Sequence, residues 1–209
     1  MTPFRVPSLL PWLYPNLLWR VPTDEKNIYL TFDDGPIPGP TEWVLDQLRD
    51  HRVQATFFCI GDNVQKHPQV FSRILAEGHA VGNHTFHHIK GWRTNTQTYL
   101  ENVERCQQAI APKTTSFFRP PYGQISRRQI QELRKQYRIV MWDVLTQDYD
   151  ASRSPEKCLR GSIQATRPGS IVVFHDSLKA ERNLKFTLPR YLDHFQQLGY
   201  AFRLLPGLP

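Results

Sequence analysis

Short runs of β-branched and aromatic residues alternate along this chain with longer amphipathic segments. Each run has five to seven residues and is bounded by Gly, Pro or polar residues, which predicts a strand. The predicted strands cover residues 27–32, 55–60, 80–84, 116–120, 139–144, 170–176 and 201–205. Strands alternating with helices predict a single α/β domain on a parallel sheet, either open or closed into a barrel.

Titratable side chains lie at the carboxyl ends of five of these strands. In parallel α/β folds the carboxyl ends of the strands lie at one edge, where active sites form. We therefore expect these side chains to converge on one site. They are Asp33 and Asp34, His84, Arg119, Asp143, and His175 with Asp176.

Composition narrows the function classes. The 209 residues carry a net charge of +7, but the basic residues are scattered and form no dense run, so we expect no nucleic-acid partner. Three dispersed cysteines, Cys59, Cys106 and Cys158, argue against a disulfide framework and suit a reducing compartment. Oligomeric state cannot be read from these features.

Residues 1–24 form a Pro- and aromatic-rich arm, and residues 25–209 form the predicted domain. No signal peptide is evident in the arm, and no stretch reaches the roughly 18 apolar residues of a membrane span. We expect a cytoplasmic or envelope-associated protein whose arm wraps over the barrel or a sheet edge. Trp12, Tyr14 and Trp19 suggest a weak membrane-surface contact through the arm.

The stretch "NHTFHH" holds candidate metal ligands. His84 and His88 are four residues apart, so on a helical turn they would face one ion, whereas His87 would point elsewhere. Two imidazoles and one carboxylate are a frequent catalytic zinc set. Of the adjacent acids Asp33 and Asp34, one would bind the metal and the other would take a proton from the attacking water.

The stretch "FFRPPYG" holds a second candidate group. Pro120 and Pro121 stiffen the backbone and leave Tyr122 with the first free amide, which suits an oxyanion donor. Arg119 could orient the free aspartate through a bidentate pair.

A histidine at the end of a strand could protonate a leaving amine. His175 follows the apolar run "IVVF", and imidazole is the usual general acid near neutral pH. Asp148 or Asp143 would hold its ring.

Together these residues resemble the polysaccharide deacetylase family with the NodB homology domain, carbohydrate esterase family 4. The resemblance covers residues ~25 to 205 and rests on "TFDDGP", "HTFHH", "RPPYG" and "VFH". The fourth motif departs from the family pattern: "WDVLTQDY" has Leu145 in place of an aspartate and Tyr149 in place of a tryptophan. That departure leaves the acid behind His175 or Arg119 open, with Asp148 preferred over Asp143.

The resemblance implies a distorted (β/α) barrel with about seven parallel strands. It also implies hydrolysis of N-acetyl groups, with O-acetyl groups as an alternative, on a glycan such as peptidoglycan or chitooligosaccharide. Asp33 would be the base, and Asp34, His84 and His88 would bind one divalent ion. Zinc is the expected metal, with cobalt, nickel or manganese as alternatives.

The remaining roles also follow from the resemblance. Tyr122 would supply the oxyanion donor, with Arg119 positioning the base and His175 acting as the acid. Independently of the resemblance, Trp142 and Trp92 are expected to be exposed aromatic residues that stack on sugar rings. Two rival functions remain: an amide hydrolase of this fold that acts on a small molecule or glycolipid, and a non-catalytic sugar-binding domain.

Overall fold

A parallel sheet curled into a distorted (β/α) barrel forms the centre of the single domain, as predicted. The structure is a computed structural model that describes residues 3–111 and 116–207. Seven strands form a continuous path in the order β5-β4-β3-β2-β1-β7-β6, and a short β8 pairs with β1. The strands are β1 (Asn27–Asp33), β2 (Thr56–Cys59), β3 (Ala80–Asn83), β4 (Phe117–Phe118), β5 (Arg138–Ile139), β6 (Val144–Leu145), β7 (Ile171–His175) and β8 (Ala201–Phe202).

Helices surround the sheet, and several begin at residues suited to the role. Asn95, Ser126 and Ser154 each accept a hydrogen bond from a backbone N–H in the first turn of their helix. Within the two described ranges, no helix combines the length and apolar character needed to cross a bilayer. The helices are α1 (Leu9–Leu13), α2 (Pro40–Asp50), α3 (Gly61–Lys66), α4 (Pro68–Ala76), α5 (Thr96–Ile110), α6 (Arg127–Leu133), α7 (Pro155–Ala165) and α8 (Glu181–Gln197), with 3₁₀ turns at Gly91–Arg93 and Pro121–Gly123.

Strand β1 lies at the centre of the core, and all seven of its residues are buried. Successive side chains of a strand point to opposite faces. Ile28, Leu30 and Phe32 pack in the core cluster shared with the helices. On the other face, Thr31 and Asp33 both accept hydrogen bonds from Arg119. Phe32 stacks on Phe57 at 5.1 Å and on Phe174 at 5.9 Å between ring centroids. This packing fixes the strand whose carboxyl end carries Asp33.

The single strand predicted over residues 139–144 is wrong. The segment contributes to two separate strands, because β5 pairs with β4 while β6 pairs with β7 on the far side of the sheet. Between them the chain crosses the gap in the barrel. An apolar run indicates burial, but it does not identify the pairing partner of each half.

The N-terminal arm fills this gap. The Leu18 N–H donates to the Ile139 carbonyl at 2.9 Å, and the Leu145 N–H donates to the Phe4 carbonyl at 2.8 Å. Leu17 and Trp19 are buried against β4, β5 and α6. The expectation that Trp19 contacts a membrane is therefore wrong, since its ring lies in the core. The boundary at residue 24 stays a prediction.

Candidate active site

The turn after β1 brings two carboxylates to the carboxyl edge of the sheet. Asp34 has φ 84°, a left-handed conformation that Asp adopts more readily than most residues. The Asn63 side-chain amide donates to the Asp34 carbonyl at 2.7 Å and holds the turn. This conformation allows the adjacent Asp33 and Asp34 side chains to reach one pocket.

Asp34, His84 and His88 form a cluster of potential metal ligands. One donor atom from each lies within 4.8 Å of the other two. Asp34 Oδ1 is 3.2 Å from His88 Nε2 and 3.7 Å from His84 Nε2. Ligands of a tetrahedral zinc ion at about 2.0–2.1 Å lie roughly 3.3 Å apart. The cluster therefore needs only small adjustments to hold such an ion.

The helical turn inferred from the spacing of His84 and His88 is wrong. The segment is a loop in which Thr85 has φ 64° and His88 has φ 54°. These left-handed residues reverse the chain and bring the second imidazole back to the first, with ring centroids 5.1 Å apart. His87 points away and contacts the Asn102 amide at 2.9 Å, so it lies outside the cluster.

The protonation states of the cluster suit a cation. Burial lowers the pKa of His84 to about 4, so its imidazole is neutral at pH 7. Its Nδ1 lies 2.8 Å from the Arg119 carbonyl, which makes Nδ1 the donor and leaves a lone pair on Nε2. Burial favours neutral Asp34, but the hydrogen bond to His88 and the nearby imidazoles hold the pKa of Asp34 well below its ordinary value.

Asp33 is paired with Arg119 beneath this cluster. Arg119 Nη1 donates to Asp33 Oδ1 at 2.6 Å, and both side chains are buried. Asp33 Oδ2 lies 3.9 Å from His84 Nε2, on the side of the candidate metal site. One carboxylate oxygen is thus held by the guanidinium while the other faces the pocket.

Arg119 has no exposed surface, and the structure compensates its buried charge. Its Nε and Nη2 donate to the carbonyls of Val140 and Met141 at 3.3 and 2.9 Å, and Nη1 also donates to the Thr31 hydroxyl at 2.9 Å. The guanidinium carbon lies 4.0 Å from the centre of the Phe58 ring. These contacts fix the guanidinium, so it holds Asp33 in one orientation.

His175 and Asp148 stand at the end of β7. Asp148 Oδ1 lies 2.8 Å from His175 Nδ1, and Oδ2 accepts from the His175 N–H at 2.8 Å. Burial opposes the charged imidazole. The charge and hydrogen bond of Asp148, together with the charges of Asp34 and Asp33, outweigh it and raise the pKa of His175 to about 9. The ring is therefore protonated at neutral pH.

Tyr122 borders the site from the loop after β4. Its φ of 60° turns the backbone, and its ring centroid lies 4.6 Å from that of His88. Across residues 3–111 and 116–207 the Tyr122 N–H has no hydrogen-bond acceptor, although the next two amides donate to Pro120 and Pro121. Trp142 packs beside this loop, where a Cβ on Gly123 would lie 2.8 Å from its ring.

Asp143 is not part of the site, although it lies near the end of a predicted strand. Its carboxylate pairs with Arg167 at 3.0 Å and accepts from the Ser170 hydroxyl at 2.7 Å. Leu145, at the position where the family pattern has an aspartate, is buried in β6.

Asp176 had no predicted catalytic or metal-binding role. This buried carboxylate accepts from the Gly35 N–H at 3.1 Å and from the Thr41 hydroxyl at 2.6 Å. It therefore holds the turn that carries Asp34. Its position directly after His175 was the only signal in the sequence.

Aspartate and histidine side chains gather at the C-terminal ends of the strands in this parallel α/β barrel. Such an arrangement defines a hydrolase-type site. A family model described as polysaccharide deacetylase matches residues 20–139. This chain belongs to the polysaccharide deacetylase family and is a carbohydrate deacetylase.

Individual relatives agree with this placement. A peptidoglycan-N-acetylglucosamine deacetylase of Bacillus cereus is 32% identical over 88% of this chain and 88% of its own length. A chitooligosaccharide deacetylase of Rhizobium leguminosarum bv. trifolii is 33% identical over 89% of this chain and 87% of its own length. The solved Bc1960 peptidoglycan N-acetylglucosamine deacetylase has a TM-score of 0.88 at 29% identity, covering 99% of this chain and 96% of that one.

Proposed function

We propose that this chain is a metal-dependent deacetylase that hydrolyses N-acetyl groups on an N-acetylglucosamine-containing glycan and releases acetate. The observation that carries the proposal is the Asp34–His84–His88 cluster beside a carboxylate held by a buried arginine. The relatives named for peptidoglycan and chitooligosaccharide deacetylation support the substrate class. O-acetyl groups are the alternative target.

The donor chemistry of the cluster fits a divalent ion such as zinc. Two imidazoles and one carboxylate leave coordination positions for water and substrate. When bound, such an ion polarises a carbonyl and lowers the pKa of a water molecule in the site. Asp34, His84 and His88 would hold it, with the Arg119 carbonyl orienting the His84 ring.

Asp33 is the proposed base. Its Oδ1 is occupied by Arg119, so Oδ2 is the atom that takes the proton from the attacking water. The guanidinium keeps the carboxylate oriented.

Tyr122 is the proposed oxyanion donor. Its backbone N–H lies at the edge of the site on a loop stiffened by Pro120 and Pro121, so it can donate to the acetyl oxygen as negative charge develops there. Trp142 and Pro121 would form the adjoining wall for the substrate.

His175 is the proposed acid. Its Nδ1 is held by Asp148, so Nε2 is the atom that delivers a proton to the leaving amine. Because its pKa is raised to about 9, most molecules carry this proton at neutral pH. The proton passes to the sugar nitrogen as the bond between carbon and nitrogen breaks.

Acetate release from a substrate panel tests this function. The panel contains chitooligosaccharides, peptidoglycan, acetylated xylan and an N-acylated glycolipid, each assayed with chelator and after zinc is restored. We expect release from the glucosamine glycans that chelator abolishes and zinc restores. Release only from the glycolipid or a small amide would favour the rival hydrolase, and no release from any compound would contradict the proposal.

A further inference from the structure

Of the eight large apolar side chains that are exposed in the described part of the chain, five lie on α1 and in the 3₁₀ turn at Gly91–Arg93, and together they form an apolar face. The face comprises four residues of α1 and one residue of a neighbouring 3₁₀ turn. Trp12 is 74% exposed and Trp92 is 68% exposed, the largest values among the big apolar residues described. The apolar face consists of Leu9, Leu10, Trp12, Leu13 and Trp92.

The apolar face adjoins the active site through a cavity of about 210 Å³. Leu10 from α1 and Trp92 line this cavity together with Tyr122 and Trp142. The same Tyr122 ring lies 4.6 Å from the His88 ring, between centroids. A surface that covers the apolar face would therefore lie beside the opening of the site.

Three of the segments that line the cavity carry only positive charge. The fourth, at Met141 and Trp142, precedes Asp143, whose carboxylate is buried and paired with Arg167. Residues 3–23, 87–100 and 116–131 contain no Asp or Glu. Arg93, Arg127 and Arg128 are exposed beside the cavity-lining residues. The Trp92 indole donates to the Ile125 carbonyl at 2.9 Å, which ties the loop carrying Arg93 to the start of α6. An apolar face is thus combined with exposed cations and no acid within the same segments.

We propose that this face docks on an anionic lipid bilayer. Tryptophan and leucine favour the boundary between headgroups and acyl chains, and arginines near the surface attract anionic lipids. A second copy of the chain fits less well because the two faces would bring like charges together. A soluble anionic polymer would use the arginines but would not need the exposed Trp12 and Leu13. The proposal does not depend on which glycan is the substrate.

Vesicle sedimentation tests the proposal with the full chain. Vesicles of 70:30 phosphatidylcholine and phosphatidylglycerol are compared with pure phosphatidylcholine vesicles at 100 mM NaCl. We expect stronger binding to the anionic vesicles. The variant W12Q/L13Q should reduce that binding at least tenfold, because both side chains leave water on docking. The variant R127Q/R128Q should reduce it several-fold and weaken its salt dependence.

Matched variants separate docking through the apolar face from the effect of replacing an exposed leucine or arginine anywhere on the surface. Leu198, which directly follows α8, is 49% exposed, and Arg182 and Arg190 are exposed on that helix. L198Q and R182Q/R190Q should leave vesicle binding unchanged. Three results would overturn the proposal: no sedimentation with anionic vesicles, equal binding by W12Q/L13Q, or light scattering that shows a dimer dispersed by W12Q/L13Q. Retained binding of W12Q/L13Q to dextran sulfate, with vesicle binding lost, would support it.

Discussion

His175 Nδ1 lies 2.8 Å from Asp148 Oδ1, and the other oxygen of this carboxylate accepts the His175 backbone N–H. Asp148 is completely buried, so its charge acts on the imidazole with little screening by water. The pair fixes both the orientation of the ring and its protonated state. This relationship makes the pH dependence of activity predictable.

Activity should decline as pH rises through about 9, because His175 then loses the proton that the leaving amine requires. D148N should move this alkaline limb toward the ordinary histidine value near 6.5 and lower kcat at neutral pH. The kcat–pH profile measures both effects, and NMR titration of His175 in metal-free protein measures the pKa directly. An unchanged alkaline limb in D148N would rule out this pair as its source.

The same pair should make stability depend on pH. The pKa of His175 is higher in the folded protein than its ordinary 6.5, so its stabilising contribution is fully present below pH 6.5 and is lost as pH rises through about 9. Urea titrations at pH 6 and pH 9.5 should show a larger decrease in the free energy of unfolding for the wild type than for D148N.

Replacing Asp33 with Asn should lower kcat by about 10²–10⁴-fold, the range typical of a lost general base. The variant keeps a hydrogen-bond acceptor for Arg119, so zinc binding should change little. Calorimetry with zinc provides that control. Wild-type kcat in D33N would disprove the assignment of the base.

Zinc should raise the melting temperature of the wild type, because a ligand that binds only the folded state stabilises it. H84A and H88A should lose this shift and lose activity. H87A is the matched control, since His87 faces Asn102 and not the cluster. Equal loss of the shift in H87A would show that the effect does not come from these ligands.

Replacing Gly35 with Ala should destabilise the fold and lower activity. A Cβ at this position would lie 2.0 Å from Asp176 Oδ2, so the turn or the buried carboxylate must move. Overpacking of this kind typically costs about 1–3 kcal/mol. G207A is the control because a Cβ there meets nothing within 4 Å. Denaturant midpoints of both variants test the prediction, and a wild-type midpoint for G35A would contradict it.

Most of the strands and the grouping of charged residues at their ends could be predicted, because short runs rich in β-branched and aromatic residues indicate buried strands. β1 shows this most clearly, since its apolar run stops at Asp33. The proximity of His84 and His88 was predicted, but the helical turn from which it was predicted is absent. A spacing of four residues suggests a helix, whereas left-handed residues such as Thr85 produce the observed loop.

Other features depend on partners distant in the sequence and could not be predicted. Which of Asp143 and Asp148 reaches His175 depends on the path of the chain around β6. In the structure Asp143 pairs with Arg167, which leaves Asp148 to contact His175. Asp176 and Thr41 are 135 residues apart in the sequence, and no local sequence pattern indicates that they are in contact.

The arm that closes the barrel has a consequence for the order of folding. Its partners at Val140 and Val144 lie roughly 120 residues or more further along the chain than Leu18 and Arg5. During synthesis on a ribosome the arm emerges before the rest of the domain, yet its hydrogen bonds can form only after the second half of the domain has been translated. Contacts of such long sequence separation form late and slow the final step. The buried Trp19 should therefore be among the last side chains to leave water, and its fluorescence would report completion of the fold.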